Sequence, residues 1–362
     1  MTKIIQAQVE ASLAQYFDPY LRQNLVAAKL VQEIQIEEKS LIIKLVYGYP
    51  MDAEYKKQLQ KSLQAHLAPI AKHVQIEINT KIEIHAGSRG LKSSPRIKNI
   101  IAIASGKGGV GKSTTAVNIA LALVKEGARV GILDADIYGP SQPTMLGAGL
   151  TPELKEKKTL LPIVRHGLQS MSIGYLVDQS AAMIWRGPMV STALQQLLND
   201  TLWDDLDYLI IDLPPGTGDI QLTMAQKIPV TGAVIVTTPQ DLALLDARRA
   251  IEMFRKVNVP VLGIIENMSL HTCSHCGHAE ALFGEGGGQR IAEESGVTLL
   301  GALPLAKEIR EETDSGNPTV VANPEGEHAL KYRDIARHIA ARISLQPKDY
   351  STKFPNIVVQ NK

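Results

Sequence analysis

Apolar and polar positions along this chain follow two rhythms. Over residues 30–36 and 41–46 they alternate, the period of half-buried strands, and a further strand is expected at 73–78. Apolar residues three and four apart predict helices over a stretch ending near Asp18-Pro19 and over 52–67. From residue 100 the pattern changes to short continuous apolar runs, at 100–104, 129–133, 207–211, 233–238, 261–265 and 298–303, separated by helical spacing. Continuous runs belong to strands buried on both faces, and their alternation with helices predicts βαβ units. Residues 1–85 are therefore expected to form a small α/β domain, and 86–98 a linker rich in Gly, Ser and basic residues. Residues 99–362 are expected to form a doubly wound, mainly parallel sheet.

Open α/β sheets collect ligands at the carboxyl ends of their strands. The run at 100–104 is followed there by Gly106-Lys107-Gly108-Gly109-Val110-Gly111-Lys112-Ser113-Thr114 and then by a helical pattern ended at Gly127. This is a complete G-x-x-x-x-G-K-[ST] loop in the strand–loop–helix order that a phosphate-binding loop needs. Its glycines let the backbone wrap tightly and aim N–H groups at phosphate oxygens, and the following helix start adds a favourable partial charge. In this reading Lys112 reaches the β- and γ-phosphates of ATP and the Ser113 hydroxyl is a ligand for Mg²⁺. The bland alternative is a glycine-rich turn that binds nothing.

Further carboxylates close other runs. Asp212 ends the 207–211 run and is placed to hold Mg²⁺; the Gly- and Pro-rich Leu213-Pro214-Pro215-Gly216-Thr217-Gly218-Asp219 after it has the composition of a γ-phosphate-sensing switch loop. Asp134 and Asp136, two apart at another strand end, face the same side, where one could orient the attacking water. Helix capping is the competing role for Asp134 and for Asp212. Asn267, at the end of the 261–265 run, could read an adenine edge with its amide or simply form a turn.

Composition narrows the class. The chain has 362 residues, 44% apolar and 21% charged, with 38 basic against 37 acidic side chains and a formal charge of +1. That is a globular composition of about two domains, with no electrostatic argument for nucleic acid or a membrane surface as a partner. The first residues lack the apolar stretch of a signal peptide and no run approaches bilayer length, so a cytoplasmic protein is expected.

Only two cysteines occur, in His271-Thr272-Cys273-Ser274-His275-Cys276-Gly277-His278. Thiolates at this spacing on a tight turn can point at one metal. An iron–sulfur cluster usually takes four thiolates, which two such pairs across a two-fold axis supply. A Cys₂His₂ zinc site using His271, His275 or His278 and a redox-active pair remain open alternatives. Glycine after Cys276 does not match haem attachment.

The second lysine of the loop, Lys107, marks the deviant Walker A class. The phosphate loop, Asp134-Ala135-Asp136-Ile137-Tyr138-Gly139-Pro140-Ser141, Trp185-Arg186-Gly187-Pro188, 212–219, Thr238-Pro239-Gln240, Asn267-Met268-Ser269 and the Cys273–Cys276 pair together closely resemble the Mrp/ApbC iron–sulfur cluster carriers. The resemblance covers nearly the whole chain. It implies a homodimeric P-loop ATPase that assembles a cluster, expected to be 4Fe-4S and to bridge two chains, and hands it to apoproteins, with cluster-assembly scaffolds as further partners. It also implies that Lys107 reaches across the dimer to the partner's nucleotide and that residues 1–85 are a MIP18-like domain. Two departures stand out. Tyr47-Gly48-Tyr49-Pro50-Met51 lacks the cysteine some such domains carry. Pro140 stands where nitrogenase relatives have a water-orienting aspartate, leaving Asp136 as the substitute and implying slow turnover. The rival expectations are a partitioning or positioning ATPase and a zinc-stapled dimeric regulator.

Overall fold

The structure is a computed structural model that describes residues 5–37, 40–88, 95–155, 159–177 and 187–349, with backbone alone at 187, 188 and 219. Trp185 and Arg186 of the motif quoted above lie outside the described residues. The described chain divides into two compact units: one takes residues up to Glu83 together with Lys125–Gly127 and Arg337–Gln346, and the other takes the rest.

In the first unit, α1 (Gln6–Leu13), β1 (Val31–Glu37), β2 (Ser40–Tyr47), α2 (Ala53–Leu67) and β3 (His73–Thr80) follow in order. β2 is the middle strand, antiparallel to β1 and parallel to β3. Its strict alternation buries Leu41, Ile43, Leu45 and Tyr47 on one face. α2 buries Leu59, Leu63 and Leu67, a stripe of period four, and starts at Asp52, whose carboxylate accepts from the Tyr55 N–H at 2.8 Å. The first helix ends at Leu13, earlier than its sequence pattern predicts. The reason is Asp18: fully buried, it accepts from the Tyr20 and Leu21 N–H groups and the Tyr49 hydroxyl, and so fixes a turn rather than a helix.

The second unit is built on an eight-stranded sheet. Its elements are β4 (Ile97–Ala104), α3 (Lys112–Lys125), β5 (Val130–Asp134), α4 (Gln142–Met145), β6 (Ile163–Arg165), β7 (Leu168–Ser172), α5 (Gly187–Asp200), β8 (Leu206–Asp212) and α6 (Asp219–Lys227). They continue with β9 (Gly232–Thr237), α7 (Asp241–Lys256), β10 (Val261–Glu266), the short pair β11 (His271–Thr272) and β12 (Ala279–Glu280), α8 (Gly287–Glu294) and β13 (Leu299–Ala302). Three helices end the unit's sequence: α9 (Lys307–Asp314), α10 (Thr319–Ala322) and α11 (Glu327–Ser344), the last running on into the first unit. The strand order is β6-β7-β5-β8-β4-β9-β10-β13, parallel throughout except for edge strand β6.

The six runs expected from residue 100 onward are all strands of this sheet, and the residues of β5, β8 and β9 are buried without exception. Burying an Ile or Leu contributes roughly 1.5–3 kcal/mol relative to leaving it exposed, which is why such runs settle in the middle of a sheet. The hairpin β6–β7 was not expected. His166 and Gly167 both have positive φ (53° and 76°), the two-residue turn that matches strand twist. Its buried Ser170 and Ser172 break the apolar run, because their hydroxyls are spent on the Ile163 carbonyl and on Asp134.

Part of the expected linker belongs to the sheet's unit. The Ser88 hydroxyl donates to the Ile228 carbonyl and its N–H to that of Val230, while His85 Nδ1 and N–H donate to the Asn99 side-chain oxygen on β4. Asn99 is fully buried. Asn99→Ala should therefore cost about 1–3 kcal/mol of stability, since a buried donor loses its acceptor; urea unfolding followed by circular dichroism measures it.

Candidate functional site

Strand register builds the site. Asp212, the last residue of β8, is paired with Ile103 of β4 on one side and Asp134 of β5 on the other, so three strands end level and open one crevice. The phosphate loop runs from β4 into α3 there. Gly109 and Gly111 both have φ of +80°, a conformation L side chains rarely adopt. A Cβ on Gly111 would lie 2.2 Å from the Asn267 amide nitrogen, and one on Gly106 would lie 2.2 Å from the Asp246 carbonyl group of α7. The loop therefore needs glycine for two reasons, its torsions and the close approach of its neighbours. The Ser105 hydroxyl donates to the Lys107 carbonyl and the Thr115 hydroxyl to that of Gly111, closing the loop at both ends. Val110 is buried, Lys107 is half-exposed, and α3 begins at Lys112 rather than Thr114.

Lys112 and Asp212 form a buried ion pair, with the lysine 6% and the aspartate 0% exposed. Lys112 Nζ also donates to the Ser113 hydroxyl at 3.0 Å. The other Asp212 oxygen accepts from Gln142 Nε2 at 2.9 Å, and the same nitrogen donates to the Ser113 carbonyl at 3.2 Å. The switch loop is anchored nearby: the Gly216 N–H donates to the Ser105 carbonyl at 2.9 Å, and Gln221 Nε2 to that of Pro215 at 2.6 Å.

Asp134 sits in register beside Asp212. It accepts from the N–H groups of Asp136, Ser141 and Gln142 and from the Ser172 hydroxyl. Burial, followed by the Asp212 charge, pushes its carboxyl up to about 7, while the backbone donors pull the other way. Its oxygens are thus engaged at the start of α4, the capping role that was the competing expectation. Asp136 is half-buried, its carboxyl raised by burial, and it feels both Lys112 and Asp212.

Asn267 follows β10, and its Nδ2 donates to the Val110 carbonyl at 2.9 Å. One N–H of its amide is thus spent on the phosphate loop, which leaves the second N–H and the oxygen. Adjacent Glu266 is buried and accepts from the Gly288 N–H at the start of α8. Met268 takes a positive φ of 57°, and the chain then enters the β11–β12 hairpin.

Cys273 and Cys276 lie at the tip of that hairpin, free and at least partly exposed. The Cys273 N–H donates to the His278 carbonyl and the Gly277 N–H to that of Cys273, with Gly277 at φ +71° closing the turn. Hydrogen bonds from the backbone of His275 and Cys276 hold the Cys273 thiol below its ordinary value, which favours the thiolate that binds metals. His271 Nδ1 is hydrogen-bonded to the Leu305 carbonyl. Among the described residues no third His, Cys, Asp or Glu joins the pair in one chain.

The oxygens of Ser113 and Asp212, a hydroxyl and a carboxylate, fit a hard divalent cation; the Gln142 amide, whose nitrogen bonds Asp212, has a buried oxygen that finds no partner among the described residues. Gln142 and Ser172 escaped the sequence reading. No motif marks a glutamine or a serine at those positions, and only strand alignment brings them to the carboxylates. The buried ion pair carries a consequence of its own. Lys112→Ala leaves the Asp212 charge without its cation, and the nucleotide-free protein should lose about 3–5 kcal/mol of stability in denaturant unfolding.

The chain resembles known proteins along most of its length. A family model described as "NUBPL iron-transfer P-loop NTPase" matches residues 96–340, and one described as "Iron-sulfur cluster assembly protein" matches residues 6–78. An iron–sulfur cluster carrier protein of Escherichia coli (strain K12) is 51% identical over 348 residues, 94% of this chain and 93% of the relative. Its namesake from Pseudomonas fragi is 61% identical over 264 residues, 72% of this chain and 92% of the relative. Among solved structures, a nucleotide-binding protein of Archaeoglobus fulgidus in complex with ADP superposes with a TM-score of 0.55 at 36% identity, covering 65% of this chain and 92% of that one. The cell-division ATPase MinD of Pyrococcus furiosus, at 23% identity and a TM-score of 0.52, covers 67% of this chain and 98% of its own and shares the fold. With a complete phosphate loop, a buried Lys112–Asp212 pair and this match over residues 96–340, the chain belongs to the NUBPL iron-transfer family of P-loop NTPases.

Proposed function

We propose that this protein is an ATP-hydrolysing carrier that takes up an iron–sulfur cluster on the Cys273–Cys276 pairs of two chains and hands it to apoproteins. The observation that carries this reading is the Cys273–Cys276 turn: two accessible thiols, one held toward its thiolate form, on a hairpin that leaves the strand next to the phosphate loop's anchor. Two thiolates are half the usual complement of a cluster, so a homodimer would supply four, and a four-iron cluster is the expected cargo. Transfer is then ligand exchange between thiolates of carrier and recipient, with cluster-assembly scaffolds as the donors. The working compartment in this reading is the cytoplasm, with neither nucleic acid nor membrane as a partner. Among the described residues no helix is long and apolar enough to cross a membrane.

At the nucleotide site, the N–H groups from Gly106 to Thr114 would cradle the phosphates, and Lys112 would exchange Asp212 for the β- and γ-phosphate oxygens. Ser113 and Asp212 would hold Mg²⁺, which when bound supplies charge neutralisation at the γ-phosphate. Asp136 would orient the attacking water and Lys107 would meet the nucleotide of the other chain. The second N–H and the oxygen of the Asn267 amide are left for the base.

Two experiments test the reading. After anaerobic reconstitution with iron and sulfide, the dimer should hold about one four-iron cluster. Cys273→Ser or Cys276→Ser should abolish it with ATP hydrolysis largely intact. Iron, sulfide and zinc are quantified separately; stoichiometric zinc that no cluster displaces overturns the carrier in favour of a zinc-stapled dimer. For the trans lysine, Lys107→Ala and Lys112→Ala should each abolish hydrolysis alone and partly recover it when mixed as heterodimers. No recovery removes Lys107 from the partner's site.

A further inference from the structure

Gln142 opens the four-residue helix α4 and is fully buried. Both partners of its Nε2, the Asp212 carboxylate and the Ser113 carbonyl, are acceptors, so the network fixes which end of the amide is nitrogen. The other arm of the amide is therefore the oxygen, Oε1. It has no hydrogen-bond partner among the described residues, and neither has the buried hydroxyl oxygen of its neighbour Ser141. A buried amide oxygen left unpaired costs free energy comparable to a lost hydrogen bond. Several buried atoms share that state, among them the Tyr47 and Tyr208 hydroxyls; what sets the Gln142 oxygen apart is that the nitrogen of the same amide bonds Asp212 and Ser113.

Position limits which donor would meet that oxygen. Gln142 bridges the backbone of Ser113 to the carboxylate of Asp212, the two residues whose oxygens fit a divalent cation, and its own backbone N–H is tied to Asp134 at 3.1 Å. The residue is thus held by its backbone N–H and by its side-chain nitrogen. Water bound to a divalent cation is a strong donor, and it would arrive beside Ser113 and Asp212 together with the nucleotide.

We propose that Gln142 is a positioning residue of the cation site: its N–H group holds the Asp212 carboxylate in place when Lys112 leaves it for phosphate, and its buried oxygen accepts a hydrogen bond from a water on the cation. The inference rests on the reading that Ser113 and Asp212 hold Mg²⁺. It separates Gln142 from a plain packing residue, because a packing residue would leave the cation requirement unchanged. It also gives Asp212 a donor that survives the departure of Lys112, so that the carboxylate is never left without a partner.

The test is binding of a fluorescent ATP analogue to the full-length protein over a Mg²⁺ titration and in excess chelator, with thermal unfolding recorded for each variant. Gln142→Met keeps length and removes both polar groups. It should raise the Mg²⁺ concentration for half-saturation about tenfold or more, as loss of an outer-shell partner does, while binding in chelator matches wild type. A Met variant with the wild-type Mg²⁺ requirement overturns the proposal. Should the Met variant not fold, Gln142→Leu, which also lacks both polar groups, takes its place, and a wild-type Mg²⁺ requirement in that variant overturns the proposal likewise. If nucleotide binding by the wild type ignores Mg²⁺ altogether, the cation site itself falls, which is a different result from a wild type that needs Mg²⁺ and a Met variant that needs it equally.

Discussion

The carboxylate of Asp212 has no contact with solvent, and a charge in that position has to be answered by groups the fold itself provides. Lys112 answers one oxygen and Gln142 the other. Because Lys112 is also the lysine of the phosphate loop, the residue that neutralises Asp212 is the one that phosphate would claim. Ligand exchange at Lys112 is therefore possible only if Asp212 keeps a second partner and finds a new counter-charge. Much of the crevice can be understood from that requirement. The glutamine bridges carboxylate and loop, the Ser113 hydroxyl lies within reach of Lys112, and the carboxyl ends of β4, β5 and β8 are drawn level so that all of these meet.

The level strand ends have a cost, since they also bring Asp134 beside Asp212. Burial penalises the Asp134 charge and the neighbouring Asp212 carboxylate adds to the penalty, which is why the Asp134 carboxyl is pushed up. Four donors converge on it, three from the backbone and one from Ser172 on β7. The hairpin β6–β7 thus extends the sheet and also supplies a hydroxyl to a carboxylate two strands from the phosphate loop. Donors that hold Asp134 also fix the turn into α4, and with it the place of Gln142.

A second chain of contacts leads from the loop to the cysteines. Asn267 pins the Val110 carbonyl, Glu266 beside it holds the start of α8, and Met268 turns the backbone into the hairpin that carries Cys273 and Cys276. Phosphate loop and thiolate turn are thus linked by the Asn267 hydrogen bond and the short run of backbone that follows β10, two strands from β4. The sheet is shared with the fold neighbours; in the proposed function it is the cysteine turn that adds a metal-directed chemistry.

What the sequence determined by itself is what depends on local chemistry. The glycine loop, the apolar strands that cannot face water, the helix stripe of Leu59, Leu63 and Leu67, and the paired cysteines on a turn each carry their reason within a few residues. What only the tertiary structure decided are the roles that arise from register. Gln142 reads as an ordinary polar residue until β5 and β8 align and set it between Ser113 and Asp212. In the sequence Asp134 is as open to orienting water as to capping a helix, and only the fold shows the N–H groups at the start of α4 and the Ser172 hydroxyl engaging it. The strand Leu168–Ser172 was hidden because its serines interrupt the apolar run, and their reason for being buried lies in partners distant in sequence. A side chain's chemistry is written in its type, but whether that chemistry is spent on structure or left for a ligand is settled by which backbone groups the folded sheet brings within hydrogen-bond reach.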